Sequence, residues 1–476
     1  VIAATVLGSG IAFLDGTVVN VALPAIARDL GTDVAGLQWT VDAYLVMLTA
    51  LLLLGGSLGD RYGRRRVFLW GLVGFTIASV GCALAPNATL LAVGRAVQGA
   101  GGAFLVPGSL AILAASFETE HRAAAIGAWS GLSGISTAIG PFVGGWLVDA
   151  WSWRLVFVIN VPLAAVALAI TVRHVPETKS SEQQPLDVWG AVLATVGLAA
   201  ACWALIEGMH EMGATEIAAT VVAIAAIAAF IGVEARRSHP MLPLGIFRSR
   251  QFSGANATTL AVYGALGGVF FLIILELQFA LGYSALEAGA SMMPVTILML
   301  ALSSRMGALS QRIGPRWPMT VGPLVVAAGT WMFTWVQPGT SYTTTVLPAA
   351  SVFGLGLAIT VAPLTAAVLA AVDETRLGIA SGVNNAASRL AGLLAVAVLP
   401  AAVALDTTFS PDSFSAEAFS DDVGDAMMIC AAVAALGGVI AFLTVRSQVR
   451  VTPTVAADVS QPCHDPCRSE VESPAA

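Results

Sequence analysis

Five ionisable side chains stand inside long apolar runs: Asp15, Asp42, Arg95, Glu276 and Arg389. Placing such a group at the centre of a membrane-spanning helix costs about 2.5–3.5 kcal/mol, so each needs a chemical reason. A carboxylic acid in a partly desolvated cavity titrates nearer neutrality than in water. It can take up and release a proton near neutral pH. Asp15 is the first candidate for that exchange. Asp42 is the second, with Thr49 seven residues on along the same helical face. Glu276, in Ile274-Leu275-Glu276-Leu277-Gln278, is read as a substrate-charge or auxiliary proton site. Asn20, Gln98, Asn384, Asn385 and Arg389 are candidate polar residues of the same cavity. For every carboxylate a plainer reading stands alongside: a satisfied hydrogen bond within the membrane, or a side chain reaching to the interface.

The elements that must position these residues are helices. The chain has 476 residues, 57% hydrophobic and 11% charged, against about 25% charged in an ordinary soluble protein. Apolar runs of about 20 residues suffice to cross a bilayer. They recur near 1–24, 38–58, 67–85, 89–115, 122–149, 154–172, 187–207, 214–235, 252–281, 286–306, 317–337, 343–371, 377–405 and 425–446. Fourteen spans make an all-α integral membrane protein with both ends on one side. The net charge of −7 lies in loops and a tail and says little about partners. The first residue is Val, so a short segment is expected to precede it. No cleavable signal peptide is visible, and the first span can itself direct insertion. Cys82, Cys202 and Cys430 lie in apolar spans as small core residues. Cys463-His464-Asp465-Pro466-Cys467 offers metal-ligand types but no second cluster, in a tail expected to be disordered.

The chain is organised around one polar interruption, Gly56-Ser57-Leu58-Gly59-Asp60-Arg61-Tyr62-Gly63-Arg64-Arg65-Arg66. It is read as a short loop in which Gly56, Gly59 and Gly63 allow close helix approach and a sharp turn. On its side of the membrane lie Arg61, Arg64, Arg65, Arg66, Arg122, Arg173, Lys179, Arg236, Arg237, Arg248, Arg250, Arg305, Arg312, Arg316 and Arg376; the other side has Arg28 and Arg154. The positive-inside rule makes the first face, and both termini, cytoplasmic. The outer loop from Leu405 to Gly424 carries Asp406, Asp412, Glu417, Asp421 and Asp422 and is read as a solvated acidic flap. Asp373-Glu374 suits the start of the thirteenth span. Gly307-Ala308-Leu309-Ser310-Gln311-Arg312-Ile313-Gly314-Pro315-Arg316 echoes the first interruption eight spans later, with Gln311 in place of the acid. The chain therefore divides into a six-helix bundle (1–172), a linker with two extra helices (173–250), a second six-helix bundle (251–446) and a tail (447–476). Trp39, Trp151, Trp153, Trp189 and Trp317 are expected in an interfacial belt, with Trp129, Trp331, Phe270 and Phe271 deeper.

Gly56, Leu58, Asp60, Arg61, Gly63, Arg64 and Arg65 resemble the loop signature of the major facilitator superfamily, with Arg65 for the usual Lys and Gly59 for the usual Ala. Four further stretches point the same way. They are Leu14 to Pro24, Arg95 to Gly102, Gly134 to Gly145, and Trp153-Arg154 with Asn160-Val161-Pro162. With fourteen spans, the chain up to about Arg450 is similar to the fourteen-helix drug:proton antiporter branch of that superfamily.

The resemblance implies a cytoplasmic latch at Asp60 to Arg65. We expect Asp60 to dock against the positive end of the thirteenth helix. It implies an antiporter motif at Gly134, Gly140, Pro141, Gly144 and Gly145 that shapes the interface between halves and limits leak. Those glycines, with Gly127 and Gly131, leave little side-chain bulk, and Pro141 favours a kink. Arg95 matches the branch's fourth-span arginine and would assist proton transfer or hold a neighbouring carboxylate charged. Glu276 departs from the aromatic or neutral residue expected there. The implied function is export of lipophilic, cationic compounds across the cytoplasmic membrane in exchange for protons. The implied exporter is a monomer, with no enzyme activity, cofactor, ATP or nucleic acid. A second reading keeps the fold and exports an endogenous metabolite, antibiotic or lipid. A reading from another class is a non-transporting membrane sensor or scaffold.

Overall fold

In a bilayer every backbone N–H and C=O must find its partner within the protein, so apolar runs of this length become helices. The computed structural model describes residues 1–179, 186–209, 213–238, 240–373, 376–405 and 415–447, without the side chains at 119, 120, 122–124, 130, 131 and 138. The expected metal-ligand types Cys463 and Cys467, the tail from 448, Asp406, Asp412 and Glu374 lie outside the described residues.

The first six helices are α1 (Ile2–Leu30), α2 (Val34–Tyr62), α3 (Arg64–Ala83), α4 (Ala88–Ser116), α5 (Thr119–Ala150) and α6 (Leu155–His174). Two more follow, α7 (Val188–Ile206) and α8 (Ala214–Arg236). The last six are α9 (Arg250–Ala280), α10 (Ala285–Ile313), α11 (Arg316–Met332), α12 (Tyr342–Ala370), α13 (Leu377–Ala402) and α14 (Ala416–Thr444). Among the described residues 13 helices are long and apolar enough to cross a membrane. The fourteenth expected span, α11, has 17 residues and continues as a 3₁₀ turn, Phe333–Trp335. Polar side chains set the starts: Asp33, Asn87, Asp187, Ser249 and Ser415 each accept a hydrogen bond from a first-turn N–H.

The central interruption differs from the expected loop. Helix α2 runs through Gly56, Gly59, Asp60 and Arg61, and the turn is the single residue Gly63, at φ 111°. Gly56 and Gly59 have room for a side chain; the close approach is at Gly55, where a Cβ would stand 2.4 Å from the Ala103 carbonyl oxygen. The sequence echo is a structural one. Gly314, at φ 84°, turns α10 into α11 as Gly63 turns α2 into α3. Each turn is covered by the segment that follows the sixth helix of its own half. A Cβ on Gly63 would meet the Glu177 carboxylate at 2.6 Å, and one on Gly314 the Ser447 carbonyl at 2.3 Å.

The cores show how the halves meet. Near the Gly63 and Gly314 turns each half has its own apolar cluster, one around Phe68, Leu72, Leu105 and Ile112, the other around Phe252, Met319, Leu364 and Ala441. At the opposite end one cluster runs through both halves, from Val18, Ala22 and Phe157 to Val269, Leu277, Ala288 and Phe353. The halves share a core at that end, while toward the arginine turn α2 and α13 still meet, where Gly382 lies against Leu53. The inserted pair packs through α7 against α2 and α13, where Cys202 and Ile206 meet Val46, Leu393 and Ala397. Helix α8 leaves Val221 and Ile224 exposed, as a lipid-facing helix does.

Other expectations change. The acidic flap is partly helix, because Ser415 caps α14 and Glu417 lies in its first turn, where the helix dipole favours acids. Trp39 and Trp153 are anchored by hydrogen bonds: their Nε1 atoms donate to Glu207 (2.9 Å) and Asp29 (2.9 Å). Trp129 and Phe271 are buried core, and Trp331 is exposed.

Candidate functional site

Asp15 and Arg95 meet in a closed polar network at the heart of the first half. Both are fully buried, and Arg95 Nη1 donates to Asp15 Oδ2 at 2.5 Å. Asp15 Oδ1 accepts from Gln98 Nε2 (2.8 Å) and Asn160 Nδ2 (2.9 Å). Gln98 Nε2 and Asn160 Nδ2 also reach Ser79 Oγ, at 2.7 and 3.2 Å. Arg95 donates further to Gln98 Oε1 (2.6 Å) and, through Nε, to the Thr40 carbonyl (2.9 Å), with its guanidinium 4.3 Å from the Tyr44 ring. Five helices, α1, α2, α3, α4 and α6, are tied by one ion pair. Charges buried this deeply persist only when their own remaining atoms are also paired: both Asp15 oxygens are, and the orphan of the network is Asn160 Oδ1. Asp15, Arg95 and Gln98 are legible in the sequence as polar groups in apolar runs; Ser79 and Tyr44 carry no such signal, and Asn160 stands out only as part of a motif.

The other carboxylates do not join this network. Asp42 is fully buried on α2, and neither of its oxygens has a hydrogen-bond partner. Its helical neighbours Trp39 and Val46 pack with Cys202 of α7 and Leu393 of α13, so Asp42 sits at a three-helix seam. Thr49 Oγ1 is likewise unpartnered. Glu276 opens a π-helical turn, Glu276–Ala280, at the end of α9. Ser420 Oγ of α14 donates to its Oε1 at 2.5 Å, while Oε2 is unpartnered. The expected single cavity lined by all four ionisable residues is not formed: Asp15 and Arg95 share a network, and Asp42 and Glu276 occupy separate seams.

Asn384 Nδ2 donates to Thr259 Oγ1 (2.7 Å) and Asn256 Oδ1 (3.3 Å), within the second half. Asn385 and Arg389 are half-buried on α13, with the Arg389 guanidinium 5.4 Å from the Phe13 ring of α1. Asn20 is half-buried and makes none of the described side-chain hydrogen bonds.

The halves are fastened at the end remote from the arginine turn. Asp149, closing α5, accepts from the backbone N–H of Ala285 (3.1 Å) and Leu286 (2.8 Å), at the start of α10. A Cβ on Gly145 would stand 2.5 Å from the Ala285 carbonyl, and one on Gly289 would stand 2.2 Å from that of Pro141. Gly140 and Gly144 approach Thr17 and Val18 of α1 as closely, whereas Gly134 has free space. Helix α5 passes through Pro141 without interruption. Gln38 Nε2 donates to the Val396 carbonyl (2.6 Å) and Gln278 Nε2 to that of Val21 (3.0 Å), both across the halves. At the arginine turn no contact between Asp60 and α13 is found among the described residues. Asp60, near the end of α2, pairs across the Gly63 turn with Arg64 of α3 at 2.8 Å. Glu177, which sequence reading did not single out, accepts from the Arg65 N–H (3.2 Å), and Arg65 Nη2 donates to the Val172 carbonyl (2.7 Å). Arg61 stacks on Tyr62 at 5.7 Å.

Known proteins with this arrangement are membrane transporters. The family profile "Major Facilitator Superfamily" matches residues 5–396. The chain is 35% identical over 414 residues to the multidrug resistance protein Stp of Mycobacterium tuberculosis, covering 86% of this chain and 76% of that protein. It is 35% identical to the methylenomycin A resistance protein of Streptomyces coelicolor over 88% of each chain. It is also 34% identical to the tetracenomycin C resistance and export protein of Streptomyces glaucescens, over 83% of this chain and 74% of that one. Among solved structures it shares the fold of the xylose transporter XylE from E. coli in its inward open conformation. The TM-score is 0.63 at 14% identity, over 94% of this chain and 95% of that one. The helices, their pairing about two glycine turns and the matched sequence agree: the chain is a multi-pass membrane protein that belongs to the major facilitator superfamily, in its fourteen-helix branch.

Proposed function

We propose that this chain is a proton-coupled antiporter that exports lipophilic small molecules across the cytoplasmic membrane. In this reading the arginine turn and both termini are cytoplasmic, and one chain is a complete transporter. Export is supported by the relatives, which include resistance proteins and a resistance and export protein. Proton coupling rests on one observation: Asp42 is fully enclosed at the α2–α7–α13 seam with neither oxygen partnered. An ionised carboxylate so placed carries an uncompensated desolvation cost, which a bound proton removes. Because α2 and α13 belong to different halves, gaining or losing that proton changes the energy of the seam between them. Asp15 serves differently in the state described: its charge is already matched by Arg95, so it is a second exchange site that acts when the network opens.

The reading is tested in everted vesicles loaded with the protein, with an imposed pH gradient and fluorescent aromatic probes of both charges. Gradient-driven uptake is expected in the wild type and lost in Asp42→Asn. Uptake retained in Asp42→Asn but lost in Asp15→Asn moves the exchange site to Asp15. Uptake indifferent to the gradient in folded protein refutes coupling. Export of an endogenous metabolite or antibiotic is the second reading, favoured by the named antibiotics of the Streptomyces relatives.

A further inference from the structure

Arg389 lies midway along α13 and has no counterpart in the network that satisfies Arg95. No described residue makes a hydrogen bond or an ion pair with its guanidinium; the contact in place is the Phe13 ring, 5.4 Å away in the other half. Phe13 is backed in turn by Trp129, ring to ring at 6.5 Å. The Tyr44 and Tyr263 phenols are within electrostatic reach. Residues 384–390 of α13 all keep partial exposure, so the guanidinium is not sealed in the core. Arginine cannot shed its proton, and its five N–H donors form a rigid fork. A permanent, unmatched positive charge therefore stands at mid-depth between the halves, against an aromatic wall. Asp15 cannot offset it, because Arg95 already does.

We propose that the space between the halves selects planar aromatic anions, with the Arg389 fork pairing a carboxylate-type oxygen while the ring system lies along Phe13. This rests on the export reading and replaces the cationic substrate expected from sequence. A lipophilic cation meets repulsion here, whereas an anion supplies the partner the guanidinium lacks.

The test is equilibrium binding to the purified full chain in detergent with three probes of one ring system: 2-naphthoate, neutral 2-naphthamide and cationic 2-naphthylmethylammonium. The wild type is expected to bind naphthoate about tenfold or more tightly than naphthamide, the scale of one charge-assisted pair. Arg389→Gln should bring the two to equal affinity. Arg389→Lys should keep part of the preference, since an ammonium retains charge but not the fork. The inference is overturned if the wild type prefers the ammonium probe, treats naphthoate and naphthamide alike, or binds none of the three while folded. It is also overturned if Arg389→Gln, with an unchanged thermal transition, keeps the preference. Binding needs no gradient, so the two readings fail separately. Selective naphthoate binding without gradient-driven flux sinks export alone; flux without naphthoate preference sinks the charge assignment alone.

Discussion

Removing the Asp149 carboxylate should open the end of the molecule where the halves are joined. Asp149 holds two backbone N–H groups at the start of α10, Ala285 at 3.1 Å and Leu286 at 2.8 Å. Hydrogen bonds to a charged acceptor contribute about 1.5–3 kcal/mol each when shielded. A carboxylate at a helix N-terminus adds about 0.3–1 kcal/mol. Asp149 is exposed, so solvent screening reduces the total to about 1–3 kcal/mol. That corresponds to a roughly 5- to 150-fold change in the balance between joined and parted states. The assay is pulsed electron paramagnetic resonance between spin labels at Thr89→Cys and Thr344→Cys, exposed positions at the starts of α4 and α12. Cys463 and Cys467 are first changed to Ser, since Cys82, Cys202 and Cys430 are buried. Asp149→Ala should populate a longer distance at the expense of the short one. Asp149→Asn, whose amide oxygen still accepts but carries no charge, should fall between. An unchanged distribution in Asp149→Ala would refute the fastening role.

Gly145→Val should have a similar effect by steric means, because a Cβ there stands 2.5 Å from the Ala285 carbonyl; the same labels should report parting, and a short distance retained would count against close packing as the join. Asp15→Asn should lower the thermal midpoint sharply, since stranding buried Arg95 costs about 3–5 kcal/mol. Asp15→Leu with Arg95→Met should recover much of that loss, and a double variant no more stable than Asp15→Asn would show that the pair is not the source. Asp60→Asn should change stability by about 1 kcal/mol, the upper range of a solvent-accessible ion pair, since this one is half-buried. If Asp60 engages α13 when the arginine end closes, that substitution should nevertheless slow gradient-driven flux while leaving probe affinity unchanged; full flux would remove the latch.

A helical membrane protein, the places of its spans and two related turns that organise two halves are all legible in the amino-acid order. Those features are legible because hydrocarbon forces each apolar segment to satisfy its own backbone, so a span announces itself locally. Gly63 and Gly314 are legible for the same reason: a positive φ is a local demand. Tertiary structure alone decided how the charges are used. Asp15 and Arg95 are 80 residues apart in sequence; Gln98 joins from the same helix as Arg95, and Ser79 and Asn160 from two further helices. Glu276 gained Ser420 rather than the first half, and Asp42 gained no hydrogen-bond partner among the described residues. Asp149 carried no signal in the sequence, and the structure makes it a fastening between halves. Packing between helices in an apolar medium follows the fit of small side chains and the pairing of scattered polar groups. Hydrophobic periodicity carries little of that information, because lipid and protein neighbours present nearly the same apolar face.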